Sequence, residues 1–195
     1  MSITIILPVY GNSPWLKEAL DSVVKQQSKY WELIIADDGS DETTYRWIQS
    51  RLKELQDKRI RWIQRPKNLG LFANLNLAIS EADTEWVVLL CSDDRLHKHA
   101  INAIQTLKQA WPKAELIISS FESINSDGSL RPADSSHHHD HVQMDTGLVQ
   151  PEQMIPALLR LGSLNGNLTG MAFSKEHWRK VGPFRSNQDK IFIIN

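Results

Sequence analysis

Residues 3–121 alternate short apolar runs with segments of helical periodicity, giving five candidate strands separated by four candidate helices. The first run, "ITIILPV" at 3–9, is rich in β-branched residues and is closed by Pro8, Gly11 and Asn12, the pattern of a buried strand and a turn. Ser13 and Pro14 then supply helix-start chemistry, and Leu16, Ala19, Leu20, Val23 and Val24 recur at helical spacing. The pairing returns with a strand at 31–36, the polar loop "DDGSD", and a helix at 42–56 carrying Trp47, Ile48, Leu52 and Leu55. A strand at 60–64 precedes a helix at 70–82, with Leu71, Leu75, Ala78 and Ile79 on one face. A strand at 85–90, a helix at 97–110 and a strand at 114–121 complete the series. Parallel strands need long crossovers and helices supply them, so the order predicts an α/β fold with a mostly parallel central sheet and helices on both faces.

Beyond residue 122 the rhythm breaks. "NSDGS" at 125–129 reads as a turn, 131–146 is polar and contains "HHHDH", and 151–161 reads as a helix. "LTGMAFS" at 168–174 predicts one more strand, followed by a short helix from Lys175 to Val181. With 195 residues, 41% hydrophobic and 23% charged, the chain reads as one globular domain. A net charge of -1 with scattered basic residues disfavours nucleic acid as a partner. The single cysteine, Cys91, excludes an internal disulfide. No apolar stretch reaches the length of a membrane span, and "MSITIILPVYG" lacks the basic start of a signal peptide. The expectation is a cytoplasmic protein, any membrane contact coming through partners; a homo-oligomer stays open.

In parallel α/β sheets, ligands bind outside the carboxyl ends of the strands. The loops there read "PVYGNS", "ADDGSD" and "CSDDR" after strands one, two and four, and two of the three carry adjacent carboxylates. Either pair alone is common as a turn or helix cap, since Asp oxygens accept orphan amide hydrogens. Two pairs at one sheet edge are harder to explain without a cation, because clustered like charges cost energy or force proton uptake. Mg²⁺ or Mn²⁺ bridging a polyphosphate resolves that conflict. The glycine-rich phosphate loops G-x-x-x-x-G-K-[ST] and G-x-G-x-x-G are missing from the sequence.

Four segments in order, "ITIILPVYGNSPWLKEALDSVVKQ", "WELIIADDGSDETT", "NLGLFANLNLAI" and "LLCSDDRL", resemble the successive motifs of the family-two nucleotide-sugar glycosyltransferases, which have the A-type glycosyltransferase fold. A fainter likeness lies in "NLTGMAFSKEHWRKVGPF" at 167–184. The resemblance implies that backbone around Pro8, Val9 and Tyr10 lines a nucleoside pocket and that Asp38 hydrogen-bonds the base, often uracil. It implies that Asn68, Gly70 and Asn76 wall the donor site, and that Asp93 and Asp94 hold the ribose and a divalent cation, Mn or Mg. The implied activity is a hexosyltransferase of inverting mechanism, moving a sugar from a nucleotide-diphospho-sugar, a UDP-sugar favoured, to a glycan or lipid-linked acceptor in polysaccharide biosynthesis. The metal stabilises the departing diphosphate, and a carboxylate base takes the acceptor proton through an oxocarbenium-like transition state.

Three positions depart from the family pattern. Cys91 stands where relatives carry Asp, which leaves the metal to Asp93 and Asp94, and Leu75 stands where relatives often carry Arg. The acidic base motif expected after "GPF" is replaced by "GPFRSNQDKIFIIN", where Asp189 is the one carboxylate and its context does not match. The catalytic base is thus unassigned, and the expectation is a chain cut short or divergent there. Residues 1–121 would form the nucleotide-sugar half and 122–195 the acceptor side.

The histidines at 137, 138, 139 and 141 could bind a transition metal, but without regular ligand spacing they read as a solvated loop. His97 and His99 read as helix surface, Cys91 as a small buried side chain, and Trp31, Trp47, Trp62 and Trp86 as core anchors. Three rival readings follow. A donor-binding module with weak catalysis predicts nucleotide affinity without transfer. A receiver domain is weakened by acids after strands two and four and no Lys after strand five. A sugar nucleotidyltransferase is disfavoured by the missing Gly-rich signature.

Overall fold

The computed structural model describes residues 1–131, 147, 150, 152 and 168–185. Its sheet has six strands in the order β3-β2-β1-β4-β6-β5. The strands are β1 (Ile3–Val9), β2 (Trp31–Asp37), β3 (Ile60–Gln64), β4 (Trp86–Leu89), β5 (Leu116–Ile118) and β6 (Met171–Ser174). The helices bounded within the described residues are α1 (Leu16–Val24), α2 (Glu42–Leu55), α3 (Leu71–Glu81), α4 (Ala100–Ala110) and α5 (Lys175–Val181). The α/β architecture expected from the alternation is therefore present, with β1, β3 and α5 at their expected bounds.

β1 is the central strand, parallel to β2 on one side and to β4 on the other, with Ile3 opposite both Trp31 and Trp86. Because side chains alternate across a strand, β1 and β2 feed two cores. Ile3, Ile5, Leu7 and Val9 join Leu33 and Ile35 in one, packed against Leu20 and Val23 of α1, Ile48 of α2 and Ile101 of α4. Ile6, Ile34 and Ala36 face the other way, toward Leu75, Ala78 and Ile79 of α3. Both faces are covered, which is why these strands read as continuous apolar runs. Each such fully buried Ile or Leu contributes about 1.5–3 kcal/mol.

The structure revises several details. β5 spans three residues instead of eight, and α4 begins at Ala100 because the Ala100 amide bonds the His97 carbonyl in a preceding turn. β6 is antiparallel and lies between β4 and β5, so the fifth strand in sequence forms the edge opposite β3. The turn at 125–129 closes a small hairpin, with the Gly128 amide bonded to the Asn125 carbonyl at 2.9 Å and Ile124 bridged to Leu130. Trp31 and Trp86 are fully buried and Trp47 and Trp62 pack against the same core, as anchors should. Among the described residues no helix is long and apolar enough to cross a membrane. The histidine loop, the helix expected at 151–161 except residue 152, and Asp189 lie outside the described residues.

Candidate functional site

The loops that leave the carboxyl ends of β1, β2, β3 and β4 are tied to one another by hydrogen bonds. The β1 and β2 loops meet where the Asp38 amide bonds the Val9 carbonyl at 2.8 Å and the Gly11 amide bonds Ser40 Oγ at 3.1 Å. The β1 and β4 loops meet where Ser13 Oγ donates to the Ser92 carbonyl at 3.3 Å. The β2 and β3 loops meet most closely. Asp38 accepts the Leu69 amide on Oδ1 and the Gly70 amide on Oδ2, both at 2.9 Å, and Asn68 Oδ1 takes the Gly70 amide at 2.8 Å. Gly39, at φ +74°, lies so close to Lys67 that a Cβ there would sit 2.6 Å from the Lys67 carbonyl carbon. Only glycine combines this positive φ with that approach.

Pro8, Val9, Tyr10, Asp38, Asn68 and Gly70 thus belong to one wall of connected loops. Tyr10 is exposed at its rim, and Asp38 is buried within it. Asp38 is first of all the organiser of the 68–70 segment, and each of its oxygens keeps a lone pair beyond the amide it accepts. Asn76 does something different. Its Nδ2 donates to the Phe184 carbonyl at 2.8 Å and its Oδ1 accepts the Phe184 amide at 2.9 Å, so its amide group fastens the "GPF" segment to α3.

The acidic turn after β4 gathers Cys91, Asp93 and Asp94, whose ligand atoms all lie within 4.8 Å of one another. The Asp94 amide bonds the Cys91 carbonyl at 3.2 Å, which folds residue 94 back over residue 91. The Cys91 amide donates to Thr169 Oγ1 at 2.8 Å, anchoring the turn to the segment before β6. Burial pushes the Cys91 thiol up, and the charges of Asp94 and Asp93 add to that against the Thr169 hydrogen bond. Two carboxylates and a sulfur in this compass form a donor set that fits a divalent cation.

Sequence reasoning missed the polar network under this wall. Asp37 is fully buried; its Oδ1 accepts the Ser40 amide at 2.9 Å, while its Oδ2 has no hydrogen-bond partner among the described residues. Arg65, just past β3, donates to both oxygens of Glu81 at 2.8 Å and to Asn74 Oδ1 at 3.1 Å, and Asn74 Nδ2 reaches the Ala36 carbonyl at 2.7 Å. Glu81 raises the Arg65 guanidinium further above its ordinary value, with a smaller contribution from Asp38. Leu75 is fully buried, packed in the same core as Ile6 and Ile34. The signal was available in an arginine directly after a strand, but its partners are 9 and 16 residues away and carry no periodicity.

The family model "Glycosyl transferase family 2" matches residues 4–173. The chain is 38% identical over 101 residues to an uncharacterized glycosyltransferase of Rickettsia felis, an alignment covering 51% of this chain and 16% of that protein. It is 31% identical over 99 residues to the teichoic acid poly(glycerol phosphate) polymerase of Staphylococcus epidermidis, covering 51% and 14%. It is 28% identical over 131 residues to glycosyltransferase GlyG of Streptococcus pneumoniae, covering 66% and 42%. The chain therefore spans less than half the length of these relatives. Among solved structures, S. aureus TarS 1–349 superposes with a TM-score of 0.70 at 17% identity, covering 93% of this chain and 49% of that one. The mannosyltransferase PcManGT from Pyrobaculum calidifontis, solved with GDP-Man and Mn²⁺, gives 0.67 at 20% identity, covering 95% and 48%. These likenesses identify the A-type glycosyltransferase fold.

Proposed function

The chain belongs to glycosyl transferase family 2, and on that premise we propose that it is an inverting, metal-assisted hexosyltransferase whose donor is a nucleotide-diphospho-sugar, a UDP-sugar foremost. The observation that carries this reading is the joining of four strand-end loops into one wall that ends in the Cys91–Asp94 turn. Neighbours of the same fold were solved with UDP-GlcNAc and with GDP-Man and Mn²⁺, which supports a nucleotide-sugar and a divalent cation here.

In this reading the backbone of Pro8 to Tyr10 and the 68–70 segment hold the nucleoside. Asp38 both shapes that segment and offers its remaining lone pairs to a base N–H. Asp93 and Asp94 would hold Mn²⁺ or Mg²⁺, which when bound neutralises charge on the departing diphosphate. Ser13, bonded to the Ser92 carbonyl, fixes the distance between nucleoside and metal subsites. Asn76 acts indirectly, by holding Phe184 where the chain enters the segment expected to bear the base. Acceptor recognition falls to residues 122–195, with a glycan or lipid-linked acceptor reached from the cytoplasm.

A thermal-shift series with UDP, GDP, dTDP and CDP, each with Mn²⁺ and with chelator, tests the reading, since a ligand of the native state raises the melting temperature. The expected result is a metal-dependent shift largest for UDP and lost in Asp94→Ala. No shift with any nucleotide, or an undiminished shift in Asp94→Ala, overturns it. Nucleotide binding without sugar transfer would favour a donor-binding module.

A further inference from the structure

Resting on that donor-site reading, one feature of this chain goes beyond it. The acidic turn carries a sulfur at its inner position. Cys91 is half-buried while Asp93 is exposed, and Sγ lies within 4.8 Å of one carboxylate oxygen of Asp93 and one of Asp94. A cation bonded at about 2.0–2.3 Å to oxygen and sulfur needs its donors roughly 3–3.6 Å apart, and the three ligand atoms, all within 4.8 Å of one another, are within about 2 Å of that spacing. The turn is held for this: the Asp94 amide on the Cys91 carbonyl keeps residues 91 and 94 facing the same space, and Thr169 fixes the Cys91 amide.

We propose that Cys91 is a third ligand of the divalent cation, and that the site therefore holds thiophilic cations such as Co²⁺, Zn²⁺ or Cd²⁺ more tightly than Mg²⁺. The reason is ligand softness. Two carboxylates with water and phosphate oxygens make a hard site suited to Mg²⁺ or Mn²⁺, whereas a thiolate selects borderline and soft ions. On binding, the thiol proton passes to solvent and sulfur donates its electron pair to the metal; no redox change is involved.

Cys91 is the only cysteine in the chain, so every sulfur signal reports on this position. The experiment is titration of the purified protein, with UDP present, by Co²⁺ and by Mg²⁺. Cobalt uptake is followed by equilibrium dialysis and by the near-ultraviolet sulfur-to-cobalt charge-transfer band, and alkylation of Cys91 by iodoacetamide is followed by mass. The expected result is one equivalent of Co²⁺ with the band present, and alkylation slowed about tenfold or more by Co²⁺, Zn²⁺ or Cd²⁺ but little by Mg²⁺. Cys91→Ser should lose the band and bind Co²⁺ about tenfold more weakly, with Mg²⁺ affinity within about twofold. Co²⁺ bound without the band, unslowed alkylation, or unchanged Co²⁺ affinity in Cys91→Ser overturns the inference while leaving the Asp93–Asp94 assignment standing. If no cation binds, or if Asp94→Ala binds Mn²⁺ and UDP as the native chain does, the inference and the donor-site reading both fall. The alkylation arm needs no variant, so a misfolded Cys91→Ser does not shield the inference.

Discussion

Asp38 and Gly70, 32 residues apart in sequence, are joined by a 2.9 Å hydrogen bond from the Gly70 amide to Asp38 Oδ2. With its twin at Leu69, this bond makes one carboxylate the clasp between the loops after β2 and β3. Replacing it should move the 68–70 segment, and with it the nucleoside pocket proposed above, besides removing any contact with the base. Asp38→Ala should weaken UDP binding by about tenfold or more while leaving the affinity for inorganic diphosphate with Mn²⁺ within about twofold. Calorimetry on both ligands decides; an equal loss for the two would refute a nucleoside-side role.

Gly39 and Gly11 both have positive φ, yet a Cβ meets backbone only at Gly39. Gly11→Ala should therefore cost only the left-handed penalty, about 1–2 kcal/mol. Gly39→Ala adds a clash with the Lys67–Asn68 backbone, for a total of about 2–5 kcal/mol. Urea unfolding of the two variants side by side tests the ranking.

The Asn76 amide meets both backbone polar groups of Phe184. Asn76→Ala should leave those groups without their side-chain partner, cost about 1–3 kcal/mol, and speed hydrogen exchange at the Phe184 amide. Exchange measured by mass spectrometry over residues 182–184 would show it. Exchange identical to the native chain would mean the clamp does not hold in solution.

Asp21 links α1 to α2: Arg51 donates to it at 2.5 Å and Lys17 at 2.8 Å. Burial pushes the carboxyl up, but the hydrogen bonds and charges of Lys17 and Arg51 outweigh it and hold Asp21 below its ordinary value of 3.8. A carboxyl depressed by folding stabilises the native state above its unfolded pKa, and the contribution is lost as pH falls through the lower folded value. Asp21→Asn should therefore cost about 1 kcal/mol at pH 7, and the difference from the native chain should shrink below pH 3.8. Denaturant curves at several pH values check the sign; a gap that widens on acidification would contradict it.

Most of the scaffold was legible because it is written locally. β1 and β2 are apolar on both faces, and turn residues bound them, so their place in a buried parallel sheet could be read from seven-residue windows. The "DDGS" and "SDD" loops could be placed at one edge for the same reason. What escaped reading is written at long range. The strand at 168–174 was legible as β6, but its antiparallel pairing was not, because its partners Trp86, Val87 and Val88 lie more than eighty positions earlier. Asn76 was legible as a motif position but not as the partner of Phe184, 108 residues on. Cys91 was legible as a departure from the family pattern; that its sulfur lies beside both carboxylates required the fold of the turn.

The place of β6 between β4 and β5 bears on how this chain is made. A ribosome releases β1 through β4 with their helices first, and these can pair with one another as they emerge. β5 is synthesised next, but the strand it must pair with comes more than fifty residues later. Until β6 arrives, the β4 edge and β5 remain unpaired, open to wrong partners in a crowded cell. The same late strand brings Thr169 to the Cys91 amide. The acidic turn therefore gains this anchor only after the strand that closes the sheet has been made, so its local geometry is fixed later than that of the loops after β1, β2 and β3.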